Sequence, residues 1–312
     1  MDDRHESLVS VIIPCFNQGR FLPFALDSVS RQSHARWECI IVDDGSTDET
    51  ARIAAEHASA DPRIRVVSQS NRGLSAARNA GLALAKGRFL QFLDADDWIA
   101  PDKLPRQVAA LRECTRPAAA YCFFHYAYDD EVTTLHSSAR SRPRLATDDP
   151  AHEIALRWES DLIVPSHCFL FDSRLFHSHA IRFDESLPNH EDWDCWLRVF
   201  APRPPLALIE AELACYRLRT QSMSSRTALM WKGAKRVCDK HIALASTARN
   251  VRAALCEKRR QMYDAYRALR SEEILSRAFG RGFEGYRSNV PWAAQRIVSR
   301  AVGSLGLLVS NR

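Results

Sequence analysis

Four short apolar runs, at residues 9–13, 39–42, 64–67 and 89–93, are each followed by a segment of helical character. Runs this short and predominantly apolar, rich in Val and Ile, read as buried strands. After the first, residues 18–32 place Leu22, Leu26 and Val29 on one helical face, with Asn17 as N-cap and Pro14 closing the strand before it. After the second comes "STDETARIAAEHA", where Ser46 or Thr47 can cap and acids occupy the first turn. The Ala-rich residues 74–85 follow the third run, with Gly87 as their stop. Strand and helix alternating in this way dictate an α/β fold, with a mostly parallel sheet flanked by helices.

The pattern continues less regularly. Pro101 opens a helix over residues 102–114, and "AAAYCFFHYAY" reads as a further strand. Residues 129–150 are polar and read as a long loop or hairpin. A helix-like "EDWDCWLRVF" and a strand "LALIEAELACY" come next. Beyond Ser225 the chain is helical and basic. Residues 221–312 hold 18 Lys and Arg against 6 Asp and Glu, although the whole 312-residue chain is only +5. The expected organisation is therefore a catalytic domain over 1–225 and a helical, basic C-terminal extension over 226–312.

Asp43 and Asp44 end the second strand, and Asp94, Asp96 and Asp97 end the fourth. The carboxyl ends of parallel strands are where open α/β sheets bind ligands. Carboxylates gathered there call for a cation, and oxygen donors suit Mn²⁺ or Mg²⁺ carrying a phosphate-bearing ligand. On an extended segment, Asp94 and Asp96, two residues apart, would point to the same side. A D-x-D pair alone is weak evidence; a second acidic strand end strengthens it. The chain has neither a G-x-x-x-x-G-K-[ST] loop nor a G-x-G-x-x-G after its first strand. P-loop NTPases and dinucleotide oxidoreductases are thereby disfavoured. Nine Cys without a C-x-x-C pair suggest buried thiols rather than a zinc or disulfide framework.

The segments "VSVIIPCFNQGRF", "WECIIVDDGSTDET", "NRGLSAARNAG" and "GRFLQFLDADDWIAPDKL", in this order, resemble the nucleotide-binding half of the family 2 glycosyltransferases, which have the GT-A fold. A looser resemblance reaches about residue 225 through "FDESLPNHEDWDCWLRV" and "YRLRTQSMS". It implies a Rossmann-like GT-A domain, a UDP- or dTDP-sugar donor, and inversion at the anomeric carbon. Pro14, Phe16 and Asn17 would line the base and ribose pocket. Asp44 would hydrogen-bond the base, with Asp43 beside it, and Arg72 and Asn79 would lie along the nucleotide. Asp94 would sit near ribose and metal, and Asp96 would be the firmest metal ligand. "HEDWDCW" matches the acceptor-side acidic motif, making Asp192 the candidate general base and Glu191 its neighbour or substitute. Arg219 stands where family members often carry a His, and could pair with the diphosphate. Of Trp193 and Trp196, at least one belongs to the core by spacing. His167 and His190 lie near these motifs.

The acceptor implied is a hydroxyl of a glycan, a lipid-linked sugar or a small molecule, as in polysaccharide or cell-envelope synthesis. A sugar nucleotidyltransferase is the enzymatic alternative, although its basic Gly-rich loop is missing. A non-catalytic glycan- or membrane-associated GT-A protein is the other, and the intact acidic sets weigh against it. Nucleic-acid binding is not expected, because Tyr263, Tyr266 and Trp292 are too sparse for a stacking platform. The N-terminus has no apolar signal core and no apolar run is long enough to span a bilayer, which points to the cytoplasm. The basic tail is compatible with peripheral contact at the inner membrane surface, with packing on the catalytic domain, or with a second protomer.

Overall fold

A computed structural model describes residues 7–128, 140–218 and 227–279. Strand β1 (Val9–Cys15) pairs in parallel with β2 (Trp37–Asp43) and with β4 (Phe89–Phe92), and β2 pairs in parallel with β3 (Ile64–Ser68). Helices α1 (Leu22–Ser30), α2 (Thr50–Ala60) and α3 (Leu74–Leu84) make the crossovers. After β4 come β5 (Trp98–Ile99), α4 (Lys103–Arg112), β6 (Ala119–Tyr128), β7 (Arg140–Ser141) and α5 (Pro150–Arg157). They are followed by β8 (Phe169–Asp172), α6 (Arg174–His177), α7 (Glu191–Phe200) and β9 (Leu206–Leu218). The sheet runs β3-β2-β1-β4-β8-β6-β9-β5, with β7 on β6. Its first four strands are parallel, as the alternation predicts. Beyond β4 the sheet is mixed: β8 is antiparallel to both β4 and β6, and β5 to β9, while β6 and β9 are parallel with a bulge at Phe123.

Alternate residues of the central strands feed opposite faces, as a doubly covered sheet requires. Val9, Val11, Ile13, Cys39 and Ile41 pack with Leu22, Leu26 and Val29 of α1 and Leu104 and Val108 of α4. Ile40 and Val42 meet Ala77 of α3 on the other side. Helices α8 (Thr227–Ala243) and α9 (Arg249–Phe279) add Ala234, Val237, Cys238, Val251, Ala254 and Leu255 to the largest core, alongside Trp193 and Trp196. Both tryptophans are therefore core, and Trp196 stacks on Phe171 at 4.6 Å. No helix among the described residues is long and apolar enough to cross a membrane.

Three local expectations are corrected. Pro14 does not end β1, which continues to Cys15. The β4 ladder reaches only Ile12, so the N–H that proline lacks has no partner to lose on that side. Asn17 does not cap α1, which begins at Leu22. It sits at φ 53, and its Oδ1 accepts from Thr47 N at 2.8 Å, which ties the first β–α junction to the second. Ser46 and Thr47 do not cap α2 either; Asp48 Oδ1 accepts from Thr50 N at 2.9 Å, inside the turn that opens the helix. Gly87 lies past the end of α3, where a Cβ would stand 2.6 Å from Ser10 N.

Candidate active site

At the end of β2 both acids are buried, and both are already used by the protein. Asp43 Oδ1 accepts from Ser46 N at 3.0 Å and shapes the turn into α2. Asp44 Oδ1 accepts from Gln69 Nε2 (2.7 Å) and Arg72 N (2.9 Å), and its Oδ2 from Gly73 N (2.8 Å). Asp44 thus anchors the loop leading into α3, and its carboxylate keeps lone-pair capacity for a further donor. Beside it, Phe16 is 46% exposed, an unusual position for a large apolar ring, and Pro14 is buried in β1.

Arg72 and Asn79 reach across to one carboxylate. Arg72 Nη2 is 2.8 Å from Glu185 Oε2, and Asn79 Nδ2 donates to Glu185 Oε1 at 3.1 Å. Asn79 also holds the backbone of Phe183, accepting from its N (2.8 Å) and donating to its O (2.9 Å). A cleft of about 270 Å³ opens between these walls, lined by Arg72, Gly73, Ser75, Glu185, Leu187 and Glu191.

Asp94 and Asp96 do not lie on an extended segment. Asp97 N donates to Asp94 O at 3.0 Å, so residues 94–97 form a tight turn between β4 and β5. Both side chains remain partly exposed there. Asp97 points inward: its Oδ1 accepts from Arg217 N (2.7 Å), and its Oδ2 lies 3.0 Å from His167 Nδ1, at ion-pair distance but off hydrogen-bond alignment. Burial pushes the Asp97 carboxyl up against the pull of His167. Arg217 Nε donates to the Asp96 carbonyl at 2.8 Å, and its guanidinium is enclosed by Phe21, Phe24 and Trp98. The turn carrying the acids is thereby fixed from below.

Arg78, on α3, joins this turn to α7. Its guanidinium is buried, with Nη2 2.7 Å from Asp94 Oδ1 and Nη1 2.6 Å from Glu191 Oε1. Burial opposes its charge, but Asp94, Glu191 and Asp192 together hold it firmly protonated. Asp192, half-buried at the start of α7, accepts from Trp193 N at 2.7 Å. Burial and the adjacent Glu191 push its carboxyl up to about 7, against the opposing pull of Arg78 and His190. A carboxyl poised there can exchange a proton near neutrality. His190, in the N-cap position of α7, has φ 58 and places its Nε2 2.9 Å from Glu159 Oε2.

Residues 10–179 match the family model described as Glycosyl transferase family 2. The chain belongs to glycosyltransferase family 2. Among its relatives, TuaG of Bacillus subtilis, a glycosyltransferase named for teichuronic acid biosynthesis, is 33% identical over 73% of this chain and 85% of its own length. The Bacillus subtilis glycosyltransferase EpsJ is 29% identical over 70% of this chain, which spans only 63% of EpsJ. Among solved structures, the mannosyltransferase PcManGT of Pyrobaculum calidifontis, in complex with GDP-Man and Mn²⁺, superposes with a TM-score of 0.62 at 16% identity, over 95% of this chain and 80% of that one. Staphylococcus aureus TarS 1–349, in complex with UDP-GlcNAc, gives 0.61 at 18% identity, over 95% and 80%. These two likenesses establish the α/β GT-A-like fold.

In this family 2 chain, one buried guanidinium joins acids of two sequence motifs, and one of them, Glu191, lines the cleft. Asp94 and Glu191 share Arg78, while Arg72 and Gly73, held by Asp44, line the same opening. Pro14, Phe16, Asn17 and Asp43 lie around the neighbouring β1 and β2 ends. Arg219 lies outside the described residues, as does the tail beyond 279. Sequence reading missed Arg78, Glu185 and Arg217. Arg78 had a usable signal: it shares a helical face with Leu74, Gly81 and Leu82, where a charged residue needs a buried partner. Glu185 and Arg217 gave none, because their contacts join segments distant in sequence.

Proposed function

We propose that this chain transfers a sugar from a nucleotide-diphosphate sugar to an acceptor hydroxyl, with inversion. The observation that carries the reading is the single guanidinium of Arg78 within 2.7 Å of the donor-side Asp94 and 2.6 Å of the acceptor-side Glu191. That shared contact supports a reading in which the two motifs flank one reacting centre. Asp192 is the base: it takes the proton as the acceptor oxygen bonds to the anomeric carbon, while the carbon–oxygen bond to the diphosphate breaks and its electrons leave with the nucleotide. Arg78 fixes Glu191 and Asp94 so that Asp192 faces the acceptor. Asp44, Asp43, Pro14, Phe16 and Asn17 form the base and ribose end, and Arg72 and Asn79 the wall over the diphosphate.

Among the described residues, no three His, Cys, Asp or Glu side chains converge as a closed metal cage. Two partly exposed carboxylates do fit Mg²⁺ or Mn²⁺, which keep water and substrate phosphate oxygens in their shell. Asp94 and Asp96 would hold such an ion, which would supply charge stabilisation for the departing diphosphate. The PcManGT complex with GDP-Man and Mn²⁺ and the TarS complex with UDP-GlcNAc support a nucleotide-sugar donor. The acceptor is a hydroxyl of a glycan, a lipid-linked sugar or a small molecule, and residues 226–312 extend the catalytic unit of 1–225.

A panel of UDP-, dTDP- and GDP-sugars incubated with Mn²⁺ tests this by release of the nucleoside diphosphate. One donor should be hydrolysed by the wild type, Asp96→Ala should abolish the release, and the freed sugar should show inverted anomeric configuration. Full activity in Asp96→Ala, or a retained configuration, overturns the assignment.

A further inference from the structure

Helix α7 begins with the two acids the reaction uses, and its start is not self-supporting. His190 enters it in the left-handed region at φ 58, a conformation that persists in a side-chain-bearing residue only when neighbours enforce it. Those neighbours are Glu159, 2.9 Å from its Nε2, and Asn189, which is itself held by α8. Asn189 Nδ2 donates to Leu229 O at 3.0 Å, and Asn189 Oδ1 sits 2.6 Å from His190 Nδ1. One turn beyond Leu229 stands Gly233, where a Cβ would fall 1.6 Å from Asn189 Oδ1 and 3.1 Å from His190 Nδ1. Only glycine lets α8 lie this close to the turn.

The first turn of α7 is gripped a second time. Asp194 is fully buried, and its Oδ1 lies 2.7 Å from Lys240 Nζ and 2.9 Å from His241 Nε2, both on α8. Arg198 holds the other oxygen at 2.5 Å. These partners outweigh burial and keep the carboxyl well below the usual range. Glu191 and Asp192 therefore lie between two attachments to α8, one just before them and one just after. Helix α8 and the residues it grips here, Asn189 and Asp194, fall outside residues 10–179, the segment that the family model covers.

We propose that α8 is the positioning element of the acceptor side, with Gly233 and Asn189 as the seat and Lys240 and His241 as the clamp that set where Asp192 stands. The inference rests on the reading of Glu191 and Asp192 as the acceptor-side acids. It assigns a catalytic consequence to a helix that touches no substrate, since misplacing a base by an ångström can cost about a hundredfold in rate.

The test uses the full chain and three variants: Gly233→Ala, which crowds the seat; Asn189→Ala, which empties it without a clash; and Lys240→Met, which loosens the clamp. Two measurements are made on each. Hydrogen exchange at the amides of residues 190–194 should quicken in all three, with exchange in β1 and β2 unchanged. Hydrolysis of the donor found by the nucleotide-sugar panel should lose about tenfold to a hundredfold in kcat, with donor KM and calorimetric binding of UDP with Mn²⁺ held within about twofold. A merely structural role would lower the melting temperature and leave kcat per folded molecule and the KM intact. Unchanged exchange in Asn189→Ala and Lys240→Met overturns the proposal even if Gly233→Ala fails to fold. Wild-type inactivity on every donor would instead strike the transferase reading, and the exchange data would still decide whether α8 holds the turn.

Discussion

Replacing Asp192 by Asn should slow turnover sharply and, above neutral pH, make the protein more stable. Asn keeps an oxygen for the Trp193 N–H, so the perturbation is close to the loss of one negative charge. The carboxyl is raised from 3.8 to about 7 in the folded chain, so folding favours its protonated form. Below the unfolded value both states are protonated and the charge costs nothing. The cost grows as pH rises through that window and is complete above the folded value. Full ionisation would correspond to about 4 kcal/mol at ~1.4 kcal/mol per pH unit. Asp192 is only half-buried and titrates with Glu191 beside it, so screening and sharing reduce this to about 1–2 kcal/mol. Urea unfolding of wild type and variant at pH 5 and pH 8 reads the difference directly: the variant should already gain part of the difference at pH 5 and reach about 1–2 kcal/mol at pH 8. The wild-type rate should fall on the acid side with an apparent pKa near 7, and the variant should lose about 10²–10⁴-fold. A variant less stable at pH 8 than at pH 5 relative to wild type, or an acid limb at the ordinary carboxylate value, would refute the reasoning.

Glu191→Gln should move the same acid limb downward by about one pH unit, because it removes the like charge that helps raise Asp192; an upward shift in a pH–rate profile would contradict this. Arg78→Met should cost about 3–5 kcal/mol in denaturant unfolding, since it strands the buried Glu191 as well as Asp94, and Arg78→Lys should recover only part because it cannot span both acids. Asn79→Ala should cost about 1–3 kcal/mol by unpairing both backbone groups of Phe183, and a loss within 0.5 kcal/mol would mean that water replaces them. Omitting divalent metal should remove donor hydrolysis while leaving the urea midpoint of the free protein unmoved, because Asp94 and Asp96 sit partly exposed at a turn rather than in the core.

The parallel half of the sheet was legible because β1, β2 and β4 are almost wholly buried and so leave short, mainly apolar runs between amphipathic helices. The antiparallel half was harder. β5 has two residues and no period to detect, and β9 carries a bulge where it meets Phe123. Pro14 misled because a proline is disruptive only where a ladder partner exists. Asn17 misled because a residue suited to capping a helix is equally suited to a left-handed turn. The acids were found because they cluster at strand ends; Arg78 was passed over because arginines on helices usually face water, and its two partners lie 16 and 113 residues away. Placing Asp94 and Asp96 side by side on an extended segment was wrong in detail. The Asp97 N–H bonds back to the Asp94 carbonyl and turns the chain at that point, which residue spacing alone does not reveal.

The attachment of α7 to α8 also sets an order in which a newly made molecule completes its structure. The Asp43–Asp44 and Asp94–Asp97 turns are synthesised early, yet the Asn189–His190 turn and Asp194 meet their partners Leu229, Lys240 and His241 only after those residues have left the ribosome. A chain stalled or clipped before that point lacks both attachments that flank the start of α7.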